Sequence, residues 1–362
     1  MDKIINFECL FSEIQLGPLS DSMLANLLDN SYPESRIILI VDNNTHDYCL
    51  DYLIEIHPRF ENAEVILLPS GEENKVMEVC FQVWEAFSEY NFSRNDLIIN
   101  LGGGLVTDMG GFIASLFKRG LDFIHVPTSL LGMVDASIGG KTGIDLGSHK
   151  NQLGVFNHPK GIFIDPKFLE SLPAEEIIFG YAEMLKHALI RDLELWNKIK
   201  YITSDIELSS IEILSKSVKI KVDIINEDPY EGGLRKILNF GHTIGHGIEG
   251  YYLEKSNLAH GHCVALGICA ESYLSWQKGL LSKEEYLDIE NCIRRSFHFI
   301  SINAEEITEI IKLIRHDKKN NNNKIKCCLL VGIGNCVYDR EISEQEVANA
   351  LFHLNLLASS VN

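Results

Sequence analysis

Asp96 to Phe117 reads DLIINLGGGLVTDMGGFIASLF: a short run rich in branched apolar residues, three consecutive glycines, then an apolar segment. A strand, a glycine turn and a helix N-terminus in that order make one βα unit. Backbone N–H groups converge at such a turn, and the helix dipole favours an anion there. Only glycine lets the main chain approach a phosphate that closely. The spacing is GGGLVTD, so the G-x-G-x-x-G dinucleotide fingerprint is absent. A plain tight βα turn is the structural alternative, and this segment alone leaves it open. RIILIVD (Arg36 to Asp42), AEVILLP (Ala63 to Pro69) and DFIHVP (Asp122 to Pro127) give further strand signals. Helical stretches such as KVMEVCFQVWEAFSEY separate them, and this rhythm predicts a parallel sheet built from βαβ units.

The turns after these strands carry polar groups suited to a nucleotide. SGEENK (Ser70 to Lys75) offers Glu73 and Lys75 to ribose or phosphate, while Asp42 and Asn44 can hydrogen-bond an adenosine. Each is weak alone; together, at the carboxyl ends of strands, they point to a nucleotide site. Downstream, VDASIGGKTGIDLGSHKN places Asp135, Lys141, Lys150 and Asn151 in a glycine-broken stretch. Lysines on such a loop can meet phosphate oxygens or a carboxylate. A solvated loop explains them equally well.

After Pro173 the pattern changes. SSIEILSKSVKIKVDII and CVALGICAESYLSWQKG have a 3.6-residue period, predicting a mainly helical domain over 173–362 after an α/β domain over 1–172. KKNNNNKIK (Lys318 to Lys326) reads as an exposed turn before CCLLVGIG, a short hairpin. Charge and imidazole concentrate between Glu183 and His262. Glu183 and Lys186 lie in GYAEMLKHALI; Arg235, Asn239, His242 and His246 in LRKILNFGHTIGHGIE; His260 in LAHGHCVALG. His242 and His246, four apart, share a helix face. With Glu183 and His260 they can supply a Glu/His/His set for a divalent metal, with one imidazole to spare. Three protein ligands leave a coordination position open, as in catalytic zinc sites. Two helix histidines near an unrelated glutamate is the bland reading, since such a pair is a weak signal.

Composition bounds the rest. At 362 residues the chain suggests about two domains, and 46% apolar residues suffice for sizeable cores. A net charge of −19 argues against nucleic acid or a bilayer as general partner, though a local Lys/Arg cluster can still hold an anionic substrate. Nine cysteines without a CxxC pair fit reduced, mostly buried thiols. MDKIINFECLFSEI has no basic start with a sustained apolar run, and no stretch of about 18 apolar residues appears. Neither a signal peptide nor a membrane span is expected, so the location expected is the cytoplasm.

Taken together, GGGLVTDMGGFIAS, RGLDFIHVPTSLLGMVDASIGGKTGI, KNQLGVF, LPAEEIIFGYAEMLKHALI, EGGLRKILNFGHTIGHGIE and HGHCVALG resemble the 3-dehydroquinate synthases, members of the sugar phosphate cyclase superfamily. The resemblance runs from about Ser70 to Leu266, and DKK at Asp317 to Lys319 extends it. It implies a Rossmann-like NAD-binding domain, a helical metal-binding domain, an active site in the cleft between them, and a homodimer. The activity implied is conversion of 3-deoxy-D-arabino-heptulosonate 7-phosphate to 3-dehydroquinate and phosphate, a lyase reaction of the shikimate pathway.

The same resemblance assigns residues. Glu183, His242 and His260 look like the ligands of a zinc or cobalt ion. Ser70, Gly71, Glu72, Glu73, Asn74, Lys75, Gly104, Leu105, Val106, Thr107, Asp108, Thr128, Ser129, Lys141, Lys150, Phe168, Leu169, Glu170 and Ser171 look like NAD contacts, with Asp42 and Asn44 beside them. Lys141, Asn151, Asn239 and His246 resemble the phosphate holders, joined by Lys318 or Lys319. Arg235 and Lys221 match the pair for the substrate carboxylate. Asp135, Lys186 and Glu231 match positions that address ring hydroxyls, and Arg119 one that reaches the partner's site in a dimer. One departure is His262, where the family usually has Glu; it is expected to make a contact behind the ligands without binding metal. The nearest rivals, cyclases that make 2-deoxy-scyllo-inosose or a valiolone, act on substrates without a carboxylate. They tend to lose the arginine and asparagine that this chain keeps as Arg235 and Asn239. A metal-dependent polyol dehydrogenase would share the architecture but release NADH, and a non-catalytic relative is a third alternative.

Overall fold

A computed structural model describes residues 4–147, 149–202, 204–253, 255, 258–316 and 325–359. Lys318 and Lys319, and most of the asparagine-rich turn, lie outside the described residues. The chain divides into two compact units, Met1–Ile177 with Ser209–Asn226, and Ile178–Leu208 with Glu227–Asn362.

The first unit is built on a seven-stranded sheet. Its strands are β1 (Ile5–Phe7), β2 (Glu13–Leu16), β3 (Ile37–Asp42), β4 (Glu64–Leu68), β5 (Leu97–Gly102), β6 (Asp122–Pro127) and β9 (Gly161–Ile164), in the order β1-β2-β9-β6-β5-β3-β4. All neighbours are parallel except β1 and β2. β5 is buried along its whole length and β3 along all but its last residue, which is why both read as unbroken apolar runs. Helices Met77–Glu89 and Gly104–Leu116 pack their apolar residues, among them Cys80, Phe87, Met109 and Phe112, onto Ile38, Ile40 and Ile98. Each strand expected from the sequence forms to within one residue at either end. The short strands β1, β2 and β9 went unread, having too few residues to show a period.

The glycine-broken stretch after β6 is not a loop. It forms a one-turn π-helix, Gly132–Ala136, and then an antiparallel hairpin of β7 (Lys141–Leu146) and β8 (His149–Phe156). Its glycines serve close approach: a Cβ on Gly143 would lie 2.7 Å from the Leu153 carbonyl, and one on Gly154 2.5 Å from that of Thr142. The pair within helix Gly104–Leu116 acts similarly, Gly110 lying against Asn100 of β5 and Gly111 against Thr142 of β7. Helix Ile211–Glu227 clusters with this unit up to Asn226. Asn226 there donates to the Glu8 carbonyl at 2.7 Å and accepts from the Leu10 N–H at 3.0 Å.

The second unit is mainly helical. Its centre is helix His260–Gln277, buried on nearly every side, as a helix surrounded by others must be. Around it lie helices His242–Tyr252, Lys283–Ser296 and Glu344–Ser359. So does the hairpin of β10 (Ile325–Leu330) and β11 (Cys336–Ile342), which confirms the short hairpin read from CCLLVGIG. All nine cysteines are free, seven of them buried. No described helix is long and apolar enough to cross a membrane.

Candidate active site

Within the first unit the strand order reverses at β3: β4 lies on one side of it, and β5, β6 and β9 follow on the other. Ligands of open α/β sheets bind at such a switch point, beyond the carboxyl ends of the strands. The topology puts five of the nominated segments at those ends: Asp42 and Asn44 after β3, Ser70 to Lys75 after β4, Gly104 to Asp108 after β5, Thr128 and Ser129 after β6, Phe168 to Ser171 after β9. Helix Gly104–Leu116 starts without a side-chain cap, so its first turn suits an anion. A Cβ on Gly103 would lie 3.0 Å from Ser129 Oγ, a tight contact that Ser129 would have to relieve.

Several of these residues have structural work of their own. Asp42 caps helix Asn43–Tyr48, its Oδ1 accepting from the Thr45 N–H at 2.8 Å. Val106, Phe168 and Leu169 bury their side chains and offer a ligand only backbone. The buried Lys75 ammonium sits 2.7 Å from Asp108 Oδ2 and donates to Asn151 Oδ1 at 2.8 Å. Burial opposes its charge, but Asp108 and Glu72 outweigh that and raise its pKa. Lys150 pairs with Glu72 at 3.3 Å, and Lys141 is exposed on β7. Lys221 Nζ, largely buried, lies 2.8 Å from Asp135 Oδ1 and donates to the Asp135 carbonyl at 2.6 Å. Asn151 (φ 51°) and the exposed Arg119 (φ 70°) take left-handed backbone.

In the second unit the metal-type residues converge. Glu183, wholly buried on helix Ala174–Arg191, points Oε1 to within 3.4 Å of His242 Nε2 and 3.6 Å of His260 Nε2. Its other oxygen is 2.5 Å from the Lys186 ammonium. His246 completes the group, its ring centre 5.0 Å from that of His242 and 5.8 Å from that of His260. Both imidazoles are held through their other nitrogen: His242 Nδ1 faces the Phe240 carbonyl at 3.1 Å, and His260 Nδ1 faces both oxygens of the buried Glu249 at 3.2 Å. With a divalent metal bound, proton donation from Nδ1 would leave each Nε2 lone pair free to ligate beside Glu183. Burial lowers the His242 pKa, with Glu183 opposing. Burial also works against charge on His260, but Glu249 and Glu183 prevail and lift its pKa to about 10.

A second cluster lies on the segment 228–239. Asp228 accepts from the N–H groups of Gly232 (2.9 Å), Gly233 (2.7 Å) and Arg235 (3.0 Å). Slight burial pushes its carboxyl up, and these bonds more than offset that, holding the pKa below the ordinary value. The turn thus fixed carries Glu231 in left-handed backbone (φ 61°), and Asn239 Nδ2 donates to Glu231 Oε1 at 2.5 Å. Arg235 is 2% exposed and donates through Nη1 to the Pro229 carbonyl.

Sequence reasoning missed Glu249 and Asp228. Glu249 was findable, lying seven residues after His242 on the face it shares with His246. Asp228 before Pro and two glycines carries only a turn signal. His262 differs from expectation: its Nε2 meets the His298 carbonyl at 2.5 Å and its ring the edge of Phe297, with no bond to the ligand set among the described residues.

Known proteins match the chain throughout. Residues 65–179 fit the family model described as 3-dehydroquinate synthase N-terminal, and 180–320 the 3-dehydroquinate synthase C-terminal model. The 3-dehydroquinate synthase of Parabacteroides distasonis is 37% identical over 327 residues, 89% of this chain and 92% of that one. The solved 2-epi-5-epi-valiolone synthase from Streptomyces hygroscopicus subsp. jinggangensis, with NAD+ and Zn2+ bound, has a TM-score of 0.81 at 26% identity, covering 98% of this chain and 99% of its own. A 2-deoxy-scyllo-inosose synthase complexed with carbaglucose-6-phosphate, NAD+ and Co2+ shares the fold at TM-score 0.80 and 23% identity, covering 98% and 99%.

Proposed function

The chain belongs to the 3-dehydroquinate synthase family, whose members are NAD-dependent, metal-binding lyases of the shikimate pathway, and on that premise we propose how its residues divide the reaction. The substrate is 3-deoxy-D-arabino-heptulosonate 7-phosphate and the products are 3-dehydroquinate and phosphate. Bound NAD supplies a transient hydride acceptor for the C5 hydroxyl, and a bound zinc or cobalt ion a Lewis acid for that oxygen.

Glu183, His242 and His260 hold the metal, an assignment supported by their convergence and by the anchored Nδ1 atoms. The uncapped first turn of helix Gly104–Leu116 receives the nucleotide's phosphates, with the segments after β3, β4, β6 and β9 around them. Arg235, whose planar fork suits a carboxylate, binds that group of the substrate with Lys221. Asp135, Lys186 and Glu231 orient ring hydroxyls. Lys141, Asn151, Asn239 and His246 hold the phosphate, with Lys318 or Lys319 assigned to close over it. Once C5 is a ketone the C6 proton is acidic, and the departing phosphate takes it by β-elimination. These residues therefore act by positioning, which suits a site without a strong dedicated base. A bound NAD would take up and give back the same hydride, so no second redox substrate would be consumed, and ring opening and intramolecular aldol closure complete the reaction. The exposed Arg119 is assigned to the partner's site of a homodimer. The free thiols support a cytoplasmic location.

The Glu183, His242 and His260 convergence carries this reading. Its test is phosphate release from 3-deoxy-D-arabino-heptulosonate 7-phosphate with catalytic NAD and zinc or cobalt, while the NADH band is followed. Release that needs both cofactors without NADH build-up is expected. Accumulating NADH would make the protein a dehydrogenase. No release from metal-replete protein would favour a cyclase of another sugar phosphate, against Arg235 and Asn239.

A further inference from the structure

We propose that Glu271 is a positioning residue for the metal centre: its buried carboxylate clamps the turn that carries His242 to the helix that carries His260. The inference rests on the assignment of those histidines as ligands. Glu271 is fully buried on helix His260–Gln277, 11 residues beyond His260, or about 16 Å along the axis at ~1.5 Å per residue. One oxygen accepts from the Gly241 N–H at 2.8 Å and the other from the Ile244 N–H at 3.1 Å. Those donors bracket His242. Gly241 is the N-cap of helix His242–Tyr252, sits in left-handed backbone (φ 79°) and has no side chain to cap with. The cap is supplied across the helix interface, as a full carboxylate at the positive end of the dipole.

The two helices also touch backbone to backbone here. A Cβ on Gly267 would lie 1.8 Å from the Gly241 carbonyl oxygen, and one on Gly245 2.8 Å from that of Cys263. Contact this close permits little sliding, and the carboxylate fixes the remaining rotation of the first turn. His242 and His260 sit on different helices, so the separation of their Nε2 atoms depends on this junction together with the Glu249–His260 contact. The Glu271 carboxylate oxygens reach the backbone N–H groups on either side of His242, and the residue acts through the backbone.

Glu271→Gln tests the idea, because the amide keeps one acceptor and turns an N–H towards a backbone N–H. Apo full-length protein is titrated with Zn2+ against a chromophoric chelator, and its Co2+ form is read by visible absorption. We expect a 10- to 100-fold weaker Zn2+ affinity, as for other residues that orient metal ligands, and an altered Co2+ spectrum. Glu271→Asp, which keeps the charge but shortens the reach, should lie between. Ser275→Ala is the structural control: it removes the hydroxyl that donates to the Glu271 carbonyl and accepts from the Leu330 N–H, leaving the carboxylate in place. It should lower the melting temperature with Zn2+ affinity and Co2+ spectrum unchanged. Parent-like affinity in folded Glu271→Gln, or in Glu271→Asp if the former does not fold, overturns the proposal. So does an equal loss in Ser275→Ala. Glu183→Gln, run alongside, separates the two questions: if it too binds Zn2+ like the parent, the ligand assignment itself is wrong.

Discussion

His260 and His262 are two residues apart, yet their surroundings give them opposite prospects. His260 is gripped by the Glu249 carboxylate, whereas His262 turns to a backbone carbonyl outside the ligand set. Glu249→Gln should therefore weaken Zn2+ binding about 10- to 100-fold, because the carboxylate that orients the ring and raises its basicity is lost. His262→Glu should change it less than about threefold. Chelator competition on the two variants checks both, and the reverse ranking would make the unusual histidine the functional one. At this scale the sequence was a good guide to residue type and a poor one to partners. Helical spacing drew His242 and His246 together with Glu183 and His260 as candidates, but it was a weak signal, and only the family resemblance chose three of the four. His242 Nδ1 meets a carbonyl only two residues back, whereas what His260 Nδ1 touches depends on how helix His242–Tyr252, which carries Glu249, packs on the next helix.

At the first unit's switch point a buried lysine joins three elements. Lys75 ties the turn after β4 to the first turn of helix Gly104–Leu116 through Asp108 and to β8 through Asn151. Removing one partner of a buried pair leaves the other uncompensated, which costs about 3–5 kcal/mol. Lys75→Ala should cost that much in urea unfolding and weaken NAD binding, while Asp108→Asn combined with it should recover part of the stability. A loss below about 1 kcal/mol would mean that water replaces the ammonium. The strands β3, β5 and β6 were legible because a strand buried on both faces reads as a solid apolar run, and the largely exposed edge strand β4 because its residues after the first are apolar without a break all the same. The β7–β8 hairpin was not, since its glycines look like breakers and only the facing strand shows that they are contact points.

For the whole molecule, pH is the variable with a definite sign. Glu290 is pushed up by burial, but His353, Tyr286 and Arg294 outweigh that and pull it from 4.5 down to about 2. Asp228, Glu285 and Glu346 are also lowered, despite opposing burial, by backbone N–H groups or by Lys278. Groups whose folded pKa is depressed add stability that is complete above their unfolded pKa and lost as pH falls through the folded value. Through these carboxylates the urea midpoint should fall steadily as pH drops from about 4.5 towards 2. Glu290→Gln should make that fall shallower, and a parent-like slope in the variant would sink the assignment. Composition foretold none of this: a net charge of −19 counts carboxylates without saying which are held.

Glu231 and Arg119 stand in left-handed backbone, a conformation that costs an ordinary residue about 1–2 kcal/mol and glycine almost nothing. Each is thus maintained against a standing pull towards glycine. In a library screened for folding alone, Gly should accumulate at 119 and 231. In the same library grown without aromatic amino acids, it should vanish from both. The two enrichment profiles, subtracted, would reveal where selection for chemistry overrules selection for stability.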